Sequence, residues 1–175
     1  MGFDPVVQPA DVDESMVGGE SPADMVKRLA LAKAGAVAAD YPNALVLGSD
    51  TTVVLDHHVL GKPESAEEAE SMLAQLSGRT HQVISSIGLI HAASGRQAVD
   101  AQVTDVTFDN LNRHQIERYV RSGSPMDKAG AYGIQDDHGA FFVREISGDY
   151  YTVMGLPLNL LYRTARAGFP DLVSD

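Results

Sequence analysis

The 175-residue sequence contains no cysteine, which excludes disulfides, thiolate nucleophiles and cysteine-ligated zinc and points to the cytoplasm. No apolar run reaches the length of a membrane span. The opening residues, MGFDPVVQPADVDE, lack the basic end and apolar core of a secretory signal. Positive charge is scarce: 13 Lys and Arg stand against 24 Asp and Glu, for a net charge of -11. Loose binding to a nucleic-acid backbone needs clustered Lys and Arg, so no nucleic-acid partner is expected and any phosphate-bearing ligand must be small and locally held. The six histidines show neither the i, i+4 nor the Cys-paired spacings of zinc sites. Rossmann, kinase-type and Walker glycine motifs are also missing, which leaves phosphate to lysines and metal. Repeats, low-complexity tracts and linkers are absent. What remains, 44% hydrophobic and 21% charged, is the composition of one soluble globular domain across residues 1–175.

The chain is organised around residues 45–56, LVLGSDTTVVLD. An apolar, strand-forming run stops at Gly48, sets down Ser49, Asp50, Thr51 and Thr52, and resumes at Val53. A carboxylate flanked by strand on both sides is costly to bury unless a cation, a metal or a substrate proton compensates it, and this makes Asp50 the first catalytic candidate. The alternative is an Asp that braces a bulge or turn through bonds to its own backbone.

Around that stretch, residues 1–20 read as extended and turn-rich, with the acidic cluster Asp11, Asp13 and Glu14. Ser21-Pro22-Ala23-Asp24 predicts a helix start, and the helix runs to about Asp40 on Val26, Leu29, Ala30, Lys33 and Val37. Lys33 lies on or beside the apolar face, where its ordinary account is a stem covering apolar surface with its ammonium in water. His57-His58 reads as a hairpin tip. Lys62, held between Gly61 and Pro63, has a narrowly defined backbone that suits a residue aimed at a ligand, though an ordinary surface turn carries the same residues. A second helix over residues 64–75 turns Ala69, Met72, Leu73 and Leu76 inward. Strands follow over about 83–90 and 98–108, joined at Ser94-Gly95, and a third helix over 112–120 rests on Ile116, Tyr119 and Val120. The loop at 127–135, DKAGAYGIQ, packs two glycines, a tyrosine and a glutamine amide where neither helical nor strand period holds. Such a loop can bring backbone close to a ligand and offer an amide that both donates and accepts, or it can be a Gly-rich surface loop. A strand over 140–146, a turn over 148–152 and a helix on Leu158, Leu161, Tyr162 and Ala165 close the chain.

Seven segments in order resemble the Maf family of nucleoside triphosphate pyrophosphatases. They are Asp11-Val12-Asp13-Glu14; Leu31-Ala32-Lys33-Ala34; Gly48-Ser49-Asp50-Thr51; Leu60-Gly61-Lys62-Pro63; Ser77-Gly78-Arg79-Thr80-His81; the 127–135 loop; and Gly155-Leu156-Pro157. The resemblance implies an α/β fold with a mixed, bent sheet and flanking helices, two-lobed with a central cleft, similar to inosine-triphosphate pyrophosphatases. It also implies a homodimer and a divalent cation, Mg2+ or Mn2+. Carried over by position, Asp50 is the general base, and Glu14, Asp50 and Gln135 line the metal and water site. Lys33 and Lys62 hold phosphate, and Thr51 with Gln135 reads the base. The wording Ala131-Tyr132-Gly133-Ile134-Gln135 looks like the branch acting on dTTP and UTP. In the family a strand, a Ser-x-Ser-Pro-Arg-Arg phosphate loop and a helix precede the Asp-Val-Asp-Glu segment; the sequence read here starts after them, so the resemblance implies a single Maf-like domain over 1–175 shortened at its N-terminus. The implied activity is hydrolysis of the nucleotide to its monophosphate and pyrophosphate. The alternative is a non-catalytic nucleotide-binding or division-regulatory protein that has lost the phosphate loop.

Overall fold

A computed structural model describes residues 5–136 and 138–173. Its strands are β1 (Val46–Leu55), β2 (His58–Leu60), β3 (Thr80–His91), β4 (Arg96–Phe108) and β5 (Val143–Ser147), in the sheet order β2-β1-β3-β4-β5. The α/β class with helices flanking a sheet is the one expected. The sheet was expected to be mixed, but each pairing among the described residues is antiparallel, because neighbouring strands are joined by turns or returning excursions and not by crossovers.

The β1–β2 hairpin turns at Asp56 and His57, whose φ values are 49 and 68. Two successive left-handed residues make the turn whose twist matches that of the strands. The tip therefore lies one residue earlier than the expected His57-His58, and His58 opens β2 opposite Leu55.

Helix α1 (Pro22–Ala38) starts as its sequence predicts, with the Ser21 hydroxyl accepting from the Asp24 N–H at 3.1 Å. It crosses β1 and β3 with its backbone almost on the sheet. A Cβ at Gly48 would lie 2.2 Å from the Ala30 carbonyl oxygen, and one at Gly88 would lie 2.8 Å from the Ala30 carbonyl carbon. So close a seam admits only small side chains. Ala30, Ala34 and Ala38 are buried along it, whereas Val37, expected on this face, is only half-buried.

The opposite face of the sheet is covered by α2 (Ala66–Leu76) and α3 (Arg113–Arg121). Helix α2 buries the four residues expected. Helix α3 carries a reciprocal capping box between Asn112 and Gln115 and buries Ile116, Tyr119 and Val120. With Val53, Leu55, Phe108, Tyr132 and Phe142 they form the largest apolar cluster. A smaller cluster under α1 joins Met25, Val26 and Leu29 to Val54 and Ile84.

Three expectations in the last third are corrected. Residues 139–142 form a 3-10 turn, so β5 begins at Val143. The expected turn at 148–152 contains α4 (Tyr150–Met154), because Asp149 caps it by accepting from the Thr152 N–H at 2.8 Å. Helix α5 (Leu158–Gly168) buries Leu160 and Ala165, with Leu161 partly buried, and leaves Leu158 and Tyr162 each 38% exposed. It packs on β4 and β3 at one end of these strands, against Leu89 and Ala98, so only one narrow stripe is covered. No described helix is long and apolar enough to cross a membrane.

Candidate active site

Strand alternation sorts the central stretch into two faces. Gly48, Asp50 and Val54 face α1, while Ser49, Thr51, Val53 and Leu55 face the other way. The β1–β3 register runs unbroken from Val46 opposite Ile90 to Val54 opposite Gln82. Asp50 therefore braces no bulge. Its side chain, 10% exposed, accepts from the Lys33 ammonium at 2.6 Å, and the same ammonium lies 2.7 Å from Glu14 Oε1. Lys33 is on the sheet-facing side of α1 because α1 lies so close to Gly48 and Gly88. Its ammonium bridges two carboxylates, and the side chain is 22% exposed.

Glu14 arrives from the extended N-terminal segment, which Arg28 of α1 ties down. The Arg28 guanidinium takes both Glu20 carboxylate oxygens, at 3.0 and 2.6 Å, and donates to the Ser15 carbonyl at 3.0 Å. The two carboxylates then differ in character. Burial pushes Asp50 above the ordinary carboxylate range, with the Lys33 hydrogen bond opposing it. The Lys33 hydrogen bond pulls Glu14 below that range. Burial draws Lys33 downward, but its bonds to Asp50 and Glu14 outweigh that and leave it raised, so it stays charged.

Lys62 stands within electrostatic reach, since its charge lowers both Glu14 and Asp50. Its own position is fixed by its neighbours: Pro63 is buried and the Gly61 carbonyl accepts from the Gly130 N–H at 3.0 Å. This ties Lys62 to the 127–135 loop.

Among the described residues no three His, Cys, Asp or Glu side chains converge on one point. Two hard carboxylates do converge, on a single cation, the Lys33 ammonium. Mg2+ is usually held by one or two carboxylates together with substrate phosphates, so Glu14 and Asp50 fit such an ion.

Thr51 and Gln135 lie apart from this trio. On the far face of β1, the Thr51 hydroxyl is 2.7 Å from Ser85 Oγ and 3.4 Å from the Gly155 carbonyl. Ser85 donates to the Thr152 carbonyl at 2.6 Å, so Thr51 must be the donor in the Thr51–Ser85 pair. Gln135 is exposed and lines an open cavity of about 490 Å³ with Tyr119, Ser122, Ser124, Asp136 and His138. No hydrogen bond among the described residues joins it to Glu14 or Asp50.

Several residues of the site escape sequence reasoning. Ser85 and Ser86 interrupt the apolar run of β3 opposite Thr51 and Asp50, and Ser86 donates to the Val26 carbonyl of α1 at 2.7 Å. The signal was a second polar interruption in VISSIGLI, legible only once the register paired it with GSDTT. Arg28 and Asp136 gave no signal at all, because their partners lie in other segments.

A largely buried carboxylate beside a bridging lysine, on an antiparallel sheet with flanking helices, gives the chain the makings of a phosphate-binding hydrolase site. The family model described as Maf-like protein matches residues 1–167, and the chain belongs to the Maf family. It is similar to a protein of Salinibacter ruber named dTTP/UTP pyrophosphatase, at 48% identity over 98% of this chain and 83% of the relative. A protein of the same name from Symbiobacterium thermophilum is 52% identical over 97% of this chain and 87% of its own length. Another, from Moorella thermoacetica, is 51% identical over 90% and 81%.

Proposed function

We propose that this chain hydrolyses dTTP and UTP between the α and β phosphates, releasing the nucleoside monophosphate and pyrophosphate. Membership in the Maf family and the relatives named dTTP/UTP pyrophosphatase support the activity. The observation that carries the mechanism is Asp50, a carboxylate 10% exposed on a strand and bonded to a lysine that it shares with Glu14. In this reading Asp50 takes the proton of the attacking water. Its raised pKa suits a base, which works best when its pKa approaches the operating pH. Lys33 and Lys62 neutralise charge on the phosphate oxygens. Glu14 and Asp50 would hold a divalent cation, Mg2+ or Mn2+, which when bound neutralises phosphate charge and polarises the phosphoryl oxygens.

Base reading falls to Gln135 and Thr51. The Gln135 amide can donate to a pyrimidine carbonyl and accept from ring N3–H, the one N–H of uracil and thymine, and the Thr51 hydroxyl, paired with Ser85, can supply another contact by turning to donate to a second carbonyl. Cytosine reverses the pattern at N3 and at the 4-position and leaves polar groups unpaired, at about 1–3 kcal/mol each. Within the same reading the protein is a cytoplasmic homodimer without nucleic-acid or membrane partners, which light scattering and localisation of a tagged copy would check.

Asp50→Asn is the central test. It should fold as the parent does and lose about 10²–10⁴ in pyrophosphate release from UTP with Mg2+, the usual cost of removing a general base. Equal turnover in the two proteins removes Asp50 from that role. Calorimetric binding of dTTP by the parent without pyrophosphate release would replace the hydrolase with a nucleotide-binding protein.

A further inference from the structure

The turn that carries Gln135 is braced by the next residue. Asp136 Oδ2 accepts from the Tyr119 hydroxyl at 2.7 Å and the Ser124 hydroxyl at 2.6 Å, with the Lys128 ammonium 3.6 Å away. The Tyr119 oxygen in turn accepts from the Gly133 N–H at 3.1 Å, and the Asp136 N–H donates to the Gly133 carbonyl at 3.1 Å. One buried tyrosine oxygen thus closes the turn at both ends, two residues before Gln135 and one after it. Tyr119 is itself fixed, 1% exposed on α3 and packed edge-on against Phe142 with ring centres 5.1 Å apart.

The turn has no slack. A Cβ at Gly133 would lie 2.7 Å from both Asp136 Oδ2 and Lys128 Cε, and one at Gly139 would lie 2.3 Å from the Gly133 carbonyl oxygen. Gln135 alone stands out of this network, exposed and with no hydrogen-bond partner for its amide among the described residues. A glutamine that braced its own loop would be bonded to it. Here the bracing is done by Asp136, and the Gln135 amide remains available to a ligand.

We propose that Asp136, through Tyr119 and Ser124, is the positioning residue that sets Gln135 for reading the pyrimidine base. The inference rests on the assignment of Gln135 as a base contact. Asp136 touches no substrate in this scheme. It fixes where an amide stands, and a displacement of about 1 Å at a positioned group can cost as much as about 100-fold in rate.

Steady-state kinetics on the whole chain with UTP, dTTP and CTP test it, comparing Asp136→Ala, Asp136→Asn, Tyr119→Phe and Gln135→Ala. Asp136→Ala should raise KM for UTP about tenfold or more, leave kcat within about threefold, and flatten the UTP over CTP preference toward that of Gln135→Ala. Asp136→Asn, which keeps an oxygen acceptor for both hydroxyls, should restore most of the preference. Tyr119→Phe keeps the packed ring and removes only the hydroxyl. It serves if Asp136→Ala does not fold, and it too should flatten the preference. If Gln135→Ala leaves the preference intact, the base-reading assignment falls and the proposal with it. If Gln135→Ala flattens the preference while Asp136→Ala or Tyr119→Phe, folded, retains it, the proposal alone is overturned. A fall in kcat with unchanged KM and unchanged preference in Asp136→Ala also overturns it.

Discussion

Gly48→Ala is the substitution that most directly couples packing to the site. The added Cβ would stand 2.2 Å from the Ala30 carbonyl oxygen and 2.7 Å from the Ala34 nitrogen, both helix backbone atoms that cannot rotate away. Ordinary non-bonded separation is about 3.5 Å, so α1 must lift from the sheet by roughly 1 Å. Overpacking of this kind costs about 1–3 kcal/mol, which for a chain of this size lowers Tm by roughly 2–12 °C at about 2–4 °C per kcal/mol. The same lift withdraws Lys33, which stands 2.6 Å from Asp50, and turnover should fall about 10²-fold. Gly35→Ala provides the control on the same helix, since its Cβ would meet only Ile90 Cδ1 at 3.8 Å. Exchanging a helical glycine there should stabilise by up to about 1 kcal/mol and leave turnover unchanged. Thermal melts and pyrophosphate-release assays on both variants decide. A Gly48→Ala protein that melts with the parent and keeps its rate would refute the account of the seam.

His81 predicts acid sensitivity: it is 2% exposed, its Nε2 is 2.8 Å from the Tyr132 hydroxyl, and burial draws its pKa down to about 4. The neutral ring is favoured on folding, so its stabilisation is present above pH 6.5 and is lost as pH falls toward 4, by about 3 kcal/mol in all. Urea titrations at pH 7 and 4.5 should show most of that loss in the parent and much less of it in His81→Gln; parallel slopes would clear His81. Lys33 holds Asp50 down against burial, so Lys33→Met should move the acid limb of kcat/KM to higher pH. A limb that stays in place or moves down would contradict the pairing. For Gln135→Ala, flattened preference among UTP, dTTP and CTP with retained turnover is the expected outcome, and a uniform fall in rate would return Gln135 to a bracing role.

Much of this was legible in the sequence because it is local. Ser21-Pro22 capping, the apolar stripe of α2, the Asn112 helix start and the strands about Gly95 follow from residue types a few positions apart. Asp50 stood out for the same reason, as a carboxylate inside an apolar strand. The hairpin tip at Asp56-His57 and the start of β5 were misplaced because several nearby turns satisfy the same local pattern and only strand register chooses among them. Sequence could not pair Lys33 with Asp50 and Glu14, nor exclude a solvated lysine, because that pairing depends on how closely α1 lies on Gly48 and Gly88. Nor could it show what Thr51 and Asp50 each touch until the fold placed one toward Gly155 and Ser85 and the other toward α1. The choice of Asp136 over Gln135 as the brace was likewise tertiary, since its acceptor oxygen meets hydroxyls 12 and 17 residues away. The sequence by itself determined the residue types for a phosphoanhydride site and the local elements that carry them. Tertiary packing decided which of those charges share a cation and which amide is left unbonded, because hydrogen bonds and ion pairs act over about 3 Å in space whatever the separation along the chain.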